Sequence, residues 1–387
     1  MSDATAGNLT APALFRQLGG AEAPRVLDVR NADEFARWRI EGPPPGDILN
    51  LPYFEFIEHE PEAAARVAAW LSAADRPRAL VVVCAEGGSS QYVAEVLRSR
   101  GVPAANLEGG MLAWGLAAAA RPVPAGPGAR AWQVVRFARG CLSYVVARGS
   151  DAVVVDPYRE PAPYRALLER EQLRLRAVVD THLHADHVSG GPALAREAGA
   201  PYAANPLDFA GAGIEVAPLR DGVPVRIGEL EILPVVPLHT PGHTPGSTSL
   251  VVDRTLLLTG DTLFVDDVGR PDLGAQAAAW ARDLHRTLHE RLAPLGDDVL
   301  VLPAHASAVS AAAGEAPIAG RLGRLRRENA AMRLDLDAFV RTAERAAGSA
   351  PPQYARIRRI NLGRATASEG ELVELELGRN ECALSRR

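Results

Sequence analysis

The chain has 387 residues, of which 47% are hydrophobic and 23% are charged, and its formal net charge is -5 at pH 7. This composition is that of a globular protein, and at roughly 100 to 200 residues per domain the length predicts two or three domains. The mildly acidic balance, without a basic block, argues against nucleic acids and membranes as partners and favours small-molecule substrates.

The cysteines, Cys84, Cys141 and Cys382, are odd in number and far apart in the sequence, so a disulfide framework is not expected. The first seven residues lack the basic and apolar regions of a secretory signal, and no apolar run reaches the length of a membrane span. These features predict a cytoplasmic protein.

Short apolar strands at Arg25–Asp28 and Ala79–Val83 alternate with helical stretches at Glu62–Ala73 and Ser90–Arg100. Such alternation is typical of a parallel sheet flanked by helices. We therefore expect residues 1–122 to form the first domain and the Pro- and Gly-rich residues 123–130 to form a linker.

Cys84 ends the second strand and is followed by Ala-Glu-Gly-Gly-Ser-Ser and a helix. In such a turn, backbone N–H groups and the positive end of the helix point at the sulfur, which favours a thiolate nucleophile. Gly87, Gly88 and Ser89 are expected to cradle a substrate sulfur. The alternative is a buried core cysteine without chemistry.

The segments Val26–Arg30, Glu34–Gly42 and Glu108–Trp114, together with the cysteine loop, resemble the rhodanese family. The resemblance implies that Cys84 carries a transferable sulfur atom as a persulfide. Many rhodanese loops carry arginines for thiosulfate, whereas this loop carries Glu86. A thiol persulfide or a protein partner is therefore the expected sulfur donor.

Strands are predicted at Trp132–Phe137, Leu142–Ala147 and Ala152–Asp156, and a further strand, Arg176–Asp180, leads into Thr-His-Leu-His-Ala-Asp-His. Three imidazoles and a carboxylate crowd this one turn, which costs solvation unless a cation binds there. Further metal-binding side chains follow later apolar strands: His243, Asp261 and His305. The sequence therefore predicts a metal site.

These ordered segments resemble the metallo-β-lactamase superfold, which implies an αββα sandwich over residues 131–315 with ligands gathered at one edge. The overall fold class is thus α/β. Two metal chemistries stay open. With two Zn²⁺, a thioester or lactam hydrolase of the glyoxalase II type is implied. One zinc would take His182, His184 and His243, the other would take Asp186, His187 and His305, and Asp261 would bridge them.

With one Fe²⁺, the ligands would be His182, His243 and Asp261, a facial triad that leaves positions for O2 and a substrate sulfur, as in persulfide dioxygenases. The segment Gly269–Asp272 resembles the dioxygenase branch. In it, Arg270 is a candidate for holding a substrate carboxylate, and an ion pair with Asp272 is the alternative.

One domain would carry sulfane sulfur on a cysteine, and the other would hold a metal site able to oxidise sulfane sulfur. The two activities are consistent with successive steps on the same sulfur. The favoured prediction is one Fe²⁺ per chain, oxidising a low-molecular-weight thiol persulfide with O2 to sulfite and thiol. The other residues of the metal motifs would then be supporting groups or ligands of a second metal: His184, Asp186, His187 and His305. A third possibility is a sulfur carrier or sensor that binds a protein partner.

Residues 316–387 are predicted to form a helical extension and a polar tail. Apolar residues from Leu322 to Phe339 recur at roughly helical spacing. We expect packing helices that cover the sandwich. A homo-oligomer built on them stays open.

Overall fold

The computed structural model describes residues 7–20, 22–40, 43, 45–138, 140–227, 230–231, 235–273, 276–306, 316–348, 350–376 and 382–384. Within these ranges, no helix combines the length and apolar character needed to cross a membrane.

The first unit is a five-stranded parallel sheet in the order β1-β5-β4-β2-β3 with helices packed on it, as the alternating pattern predicts. The central strands are buried along their whole length, which explains their continuous apolar runs. The strands are β1 (Asn8–Leu9), β2 (Arg25–Asp28), β3 (Ile48–Asn50), β4 (Leu80–Val83) and β5 (Ala104–Leu107). The helices are α1 (Ala11–Leu18), α2 (Ala32–Arg37), α3 (Tyr53–Glu58), α4 (Glu60–Ser72), α5 (Gly88–Ser99) and α6 (Gly110–Leu116).

The second unit contains a seven-stranded sheet, β12-β11-β10-β9-β8-β7-β6, and a five-stranded sheet, β15-β16-β17-β18-β19. The seven-stranded sheet is built from β6 (Ala118–Val123), β7 (Arg130–Arg136), β8 (Leu142–Arg148), β9 (Asp151–Val155), β10 (Arg174–Val179), β11 (Tyr202–Ala204) and β12 (Ala217–Pro218). A short ribbon pairs β13 (Arg226–Ile227) with β14 (Leu230–Glu231). The other sheet is built from β15 (Val235–His239), β16 (Thr248–Val252), β17 (Leu256–Gly260), β18 (Leu300–Pro303) and β19 (Gly320–Arg321).

Helices cover the outer face of each sheet, which completes the expected αββα sandwich. On the seven-stranded sheet, α7 (Ala162–Arg170) and α8 (Gly191–Ala198) share a buried cluster with β10. On the five-stranded sheet, α9 (Ala277–Arg286) shares a cluster with β18. Between the sheets, inward side chains such as Val146 and Leu258 belong to one common core.

The chain enters the second unit earlier than the sequence predicts. Strand β6 pairs antiparallel with β7, so residues 118–122, assigned above to the first domain, form the edge of the seven-stranded sheet. Residues 124–129, most of the predicted linker, connect these two paired strands. The alanine-rich sequence of β6 carries no strand signal because strand propensity comes mainly from β-branched and aromatic residues. The predicted end of the second domain, residue 315, lies outside the described residues.

The two units share a buried core. Phe137, directly after β7, stacks on Phe15 of α1 with ring centroids 3.8 Å apart, and Trp114 of α6 lies 5.4 Å from the same ring. The Arg136 guanidinium donates from Nε to the carbonyl of Gly115 at 2.7 Å. The first unit is therefore packed on the sandwich through aromatic stacking and a buried hydrogen bond.

The C-terminal extension is helical, with α10 (Leu322–Glu328), α11 (Leu336–Ala346), α12 (Pro352–Asn361) and α13 (Glu369–Leu375). The periodic apolar stretch from Leu322 to Phe339 is broken at Asn329. The side chain of Asn329 donates to the carbonyl of Asp267 at 2.9 Å and accepts from the N–H of Ala331 at 3.0 Å. The predicted packing role is nevertheless confirmed, because both α10 and α11 contribute to the cluster beneath α9.

Candidate metal centre and sulfur-transfer site

The three residues predicted as iron ligands meet at one edge of the sandwich. His182 follows β10, His243 follows β15 and Asp261 follows β17, and their metal-binding atoms all lie within 4.8 Å of one another. Oδ2 of Asp261 is 3.7 Å from Nε2 of His182 and 3.6 Å from Nε2 of His243. Each residue is 2% exposed or less. We call this set the triad.

Hydrogen bonds orient both imidazoles of the triad. Nδ1 of His243 donates to the carbonyl of Arg270 at 2.9 Å. Nδ1 of His182 lies 2.9 Å from the hydroxyl oxygen of Thr181, and that hydroxyl in turn donates to Asp156. Because each Nδ1 carries the proton, each Nε2 presents its lone pair towards Asp261.

The charge states of the triad suit a cation. Burial, reinforced by His184, holds the pKa of His182 well below its usual range, and burial also lowers the pKa of His243. Burial opposes ionisation of Asp261, but His305 and the two triad histidines hold the pKa of Asp261 below its usual range. The set is therefore two neutral imidazoles and one carboxylate.

Two atoms of the triad are left without hydrogen-bond partners among the described residues, Nε2 of His182 and Oδ2 of Asp261. Buried polar atoms without partners are costly, and a bound cation would satisfy both. Two imidazole nitrogens and one carboxylate oxygen suit Fe²⁺ and also Zn²⁺. The residues present therefore fit a metal ion.

His184 does not join the triad. Its Nε2 donates to Oδ1 of Asp156 at 3.1 Å, and it forms a separate buried group with Asp156 and Asp180. Its ring lies 4.3 Å from the ring of His182, and its Nδ1 has no hydrogen-bond partner among the described residues, so the grouping of His184 with His182 and His243 in the two-zinc hypothesis stays a prediction.

The other predicted metal residues form a second cluster that touches the triad. His305 donates from Nδ1 to Asp261 at 2.6 Å and from Nε2 to Asp186 at 3.1 Å. Nδ1 of His187 lies 3.1 Å from the same Asp186. Burial opposes protonation, but the neighbouring carboxylates raise the pKa of His305 and bring the pKa of His187 to about 10.

Two cysteines without an assigned role in the sequence analysis border this second cluster. Sγ of Cys141 lies 3.8 Å from Oδ2 of Asp186. Burial opposes ionisation of this thiol, but His305 and His187 lower the pKa of Cys141 to about 6. Cys382 comes from the polar tail, yet it is 2% exposed, and its sulfur lies within 4.8 Å of metal-binding atoms of Asp261 and His305.

The tail reaches the site by pairing with the segment that follows Asp261. The carbonyl of Cys382 accepts from the N–H of Arg270 at 2.9 Å, and the N–H of Leu384 donates to Val268 at 2.9 Å. Sequence reasoning had no signal for this contact, because more than a hundred residues separate its partners and the tail shows no apolar periodicity.

Arg270 lies beside the site, but its guanidinium binds Asp272 through two hydrogen bonds of 2.6 and 2.7 Å. This is the ion pair that the sequence analysis held as the alternative, and the role of Arg270 in holding a substrate carboxylate stays a prediction. The backbone carbonyl of Arg270 does contribute to the site, because it accepts the hydrogen bond that orients His243. Gly269 is required there, because a Cβ would lie 1.8 Å from the carbonyl oxygen of Asp261.

The Cys84 loop has the expected strand-loop-helix geometry. The N–H of Gly87 donates to Sγ of Cys84 at 3.0 Å, and the Ser90 hydroxyl oxygen lies 3.1 Å from the same sulfur. Gly87 has a φ of +98°, which favours glycine. Sequence reasoning named Ser89, but Ser90 is the serine at the sulfur, and Gly88 starts helix α5 at an exposed position. Contacts of Gly88 and Ser89 with a substrate stay predictions.

The fold and site define a two-unit α/β protein with a buried histidine-aspartate centre and a cysteine loop. Residues 136–305 match the metallo-beta-lactamase superfamily, and residues 11–117 match the rhodanese-like domain. The chain therefore belongs to the metallo-beta-lactamase superfamily and carries a rhodanese-like domain before it, which confirms both resemblances.

Several known proteins are similar to part of the chain. An uncharacterized protein of Mycobacterium leprae (strain TN), ML0493, is 35% identical over 44% of this chain and 88% of its own length. The mitochondrial persulfide dioxygenase ETHE1 of Homo sapiens is 35% identical over 40% of this chain and 59% of its own. The hydroxyacylglutathione hydrolase of Synechococcus sp. (strain CC9605) is 37% identical over 42% of this chain and 64% of its own.

Solved structures agree on the fold. A metallo-beta-lactamase from Staphylococcus aureus subsp. aureus COL superposes with a TM-score of 0.56 at 22% identity, covering 62% of this chain and 75% of that one. ETHE1 from Myxococcus xanthus superposes with a TM-score of 0.51 at 25% identity, covering 60% of this chain and 98% of that one.

Proposed function

We propose that the chain oxidises the terminal sulfur of a low-molecular-weight thiol persulfide with O2, at an Fe²⁺ ion held by His182, His243 and Asp261. The observation that carries the proposal is that the ligand atoms of two imidazoles and one carboxylate converge in the triad, while Nε2 of His184 is engaged by Asp156. The persulfide dioxygenases named among the relatives support the same activity.

The overall reaction balances as persulfide, O2 and water giving thiol, sulfite and two protons. Bound iron would supply the redox chemistry that brings O2 and the substrate sulfur together. The protein presents both Nε2 lone pairs, through Thr181 and the Arg270 carbonyl, and keeps the triad buried away from bulk water.

In the same proposal, Cys84 exchanges sulfane sulfur with thiols. Its thiol attacks the terminal sulfur of a persulfide, so that the Cys84 persulfide forms and the free thiol leaves. The Gly87 N–H and the Ser90 hydroxyl lie within hydrogen-bonding distance of the reacting sulfur. The bound sulfur then passes either to a thiol that feeds the metal centre or to sulfite, which gives thiosulfate.

The first experiment is metal analysis of protein purified without oxygen, combined with O2 uptake on glutathione persulfide as the probe. We expect about one iron per chain, and one sulfite formed per O2 consumed. His182→Ala should abolish uptake. Two zinc ions per chain and no uptake after iron loading would refute the proposal.

Cys84→Ser separates the two activities. Sulfur transfer from the persulfide to cyanide should disappear, while O2 uptake on free persulfide should stay near the wild-type rate. An unchanged rate of sulfur transfer in Cys84→Ser would refute the proposed role of Cys84.

A second candidate function is a two-zinc thioester hydrolase, which the cluster of Asp186, His187 and His305 beside Asp261 favours. The hydroxyacylglutathione hydrolase among the relatives points the same way. The protons on His187 and His305 would have to leave before zinc could bind, so zinc loading should improve as the pH rises. Zinc-loaded protein that releases no thiol from an acylglutathione would exclude this candidate.

A further inference from the structure

We propose that Asn361 and Glu376, in the C-terminal extension, are positioning residues that hold residues 181–189, here called the histidine turn, and thereby set the metal affinity of the centre. Both lie beyond residues 136–305 and 11–117, the segments that match known families. The inference rests on the metal-binding part of the proposed function and not on the substrate.

Asn361 is the last residue of α12 and is 5% exposed. Its Nδ2 donates to the carbonyls of His184 at 2.9 Å and His187 at 3.0 Å, while its Oδ1 accepts from the N–H of Ser189 at 2.9 Å. One amide thus satisfies three backbone groups of the turn that carries the histidines. Because backbone position aims each imidazole, losing this amide would loosen several candidate metal-binding side chains together.

Glu376 binds the next backbone group of the same turn. Its Oε1 accepts from the N–H of Val188 at 2.9 Å. Its Oε2 accepts hydrogen bonds from the guanidinium groups of Arg136 at 2.7 Å and Arg159 at 3.2 Å. The side chains of Glu376 and Arg136 are 2% and 3% exposed, so the carboxylate is held from both sides within the protein.

Arg136 extends this support to the first unit through its bond to the Gly115 carbonyl. A hydrogen-bonded chain therefore runs from the end of α6, through Arg136 and Glu376, to the N–H of Val188. The C-terminal extension thus links the histidine turn to the first unit, and it does more than cover the sandwich.

The test measures metal affinity of the full chain by competition with a chromophoric chelator, using Fe²⁺ and separately Zn²⁺ as probes. Asn361→Ala and Glu376→Ala should weaken binding about 10-fold, the low end of the effect of removing support behind a metal ligand, because both residues reach His182 only through the backbone of its turn. Glu376→Gln should lose less affinity than Glu376→Ala, because its amide oxygen still accepts from the N–H of Val188 although its charge no longer pairs with Arg136. Arg356→Ala, which breaks a partly exposed pair with Glu371 and a bond to the Thr366 carbonyl in the same extension, is the matched control and should leave metal affinity near wild type.

Kinetics give the second readout. At saturating Fe²⁺ the variants should recover most of their kcat, since the support acts through metal occupancy. Wild-type affinity in folded Asn361→Ala, or an equal loss in Arg356→Ala, would overturn the proposal. If Asn361→Ala does not fold, the metal affinities of Glu376→Ala and Glu376→Gln are compared instead. Equal affinities of these two variants would refute the proposal. If iron-loaded wild type shows no O2 uptake, only the dioxygenase function is refuted. The measured metal affinities still test the role of Asn361 and Glu376.

Discussion

The substitution His184→Ala distinguishes the one-metal arrangement from the two-metal arrangement. In the structure, Nε2 of His184 donates to Asp156, and His184 supplies no ligand atom to the triad although its ring lies beside that of His182. We therefore expect His184→Ala to keep about one Fe²⁺ per chain and His182→Ala to lose it. In a two-zinc centre both histidines would be ligands, and both substitutions would empty the same position.

The cost to stability follows from the contacts that His184 makes. Its 3.1 Å hydrogen bond to a buried carboxylate contributes about 1.5–3 kcal/mol. Asp156 is not left without partners, because the N–H and hydroxyl of Thr181 still donate to it at 2.7 and 2.9 Å. With a small term for the vacated volume, we expect the free energy of unfolding to fall by about 2–4 kcal/mol.

The assay pairs urea unfolding with iron content after anaerobic loading and dialysis. The variant should fold, bind iron more weakly and keep measurable O2 uptake on a persulfide. Complete loss of iron from a folded His184→Ala protein, equal to the loss in His182→Ala, would refute the assignment of the triad.

Three further outcomes follow from other contacts. Ser90→Ala removes a hydroxyl 3.1 Å from the Cys84 sulfur and should lower sulfur transfer to cyanide about tenfold, with O2 uptake unchanged; an unaltered transfer rate would contradict this. Phe137→Ala removes a fully buried ring between the units and should destabilise by about 3–5 kcal/mol in urea unfolding, whereas Phe54→Ala, at a 48% exposed site, should cost little. Burial raises the pKa of Glu376, but Arg136 and Arg159 bring it to about 2, so its contribution of about 3 kcal/mol is present above pH 4.5 and lost as the pH falls towards 2. The stability gap between wild type and Glu376→Gln should narrow over that range, and a constant gap would contradict the pairing.

Much of the fold could be predicted because the sequence carries strong local signals. Strand β4 is a short buried apolar run and β10 ends in one, and each leads into a chemically distinctive turn. Strand ends place side chains at a sheet edge, so the metal-binding residues could be expected to meet there, and the resemblance to persulfide dioxygenases selected His182, His243 and Asp261 among them.

The parts that escaped prediction depend on long-range contacts between weakly patterned segments. Strand β6 consists largely of alanine, and its strand conformation comes from pairing with β7. Asn361, Glu376 and Cys382 lie in a polar, arginine-rich region, where each residue by itself is typical of an exposed surface. Their burial follows from the packing of the extension against the histidine turn and the segment after Asp261, which no local periodicity encodes.

The rigid packing of the two units bears on how sulfur would travel between them. Cys84 is 5% exposed and the triad is buried, so neither site presents its reacting atoms on an open surface. The Phe15–Phe137 stack and the bond from Arg136 to Gly115 would both have to break before the first unit could swing towards the metal centre. At several kcal/mol for the aromatic contact alone, such a movement is disfavoured. A diffusible thiol persulfide meets no such barrier, and it is the substrate class that the proposed oxidation requires.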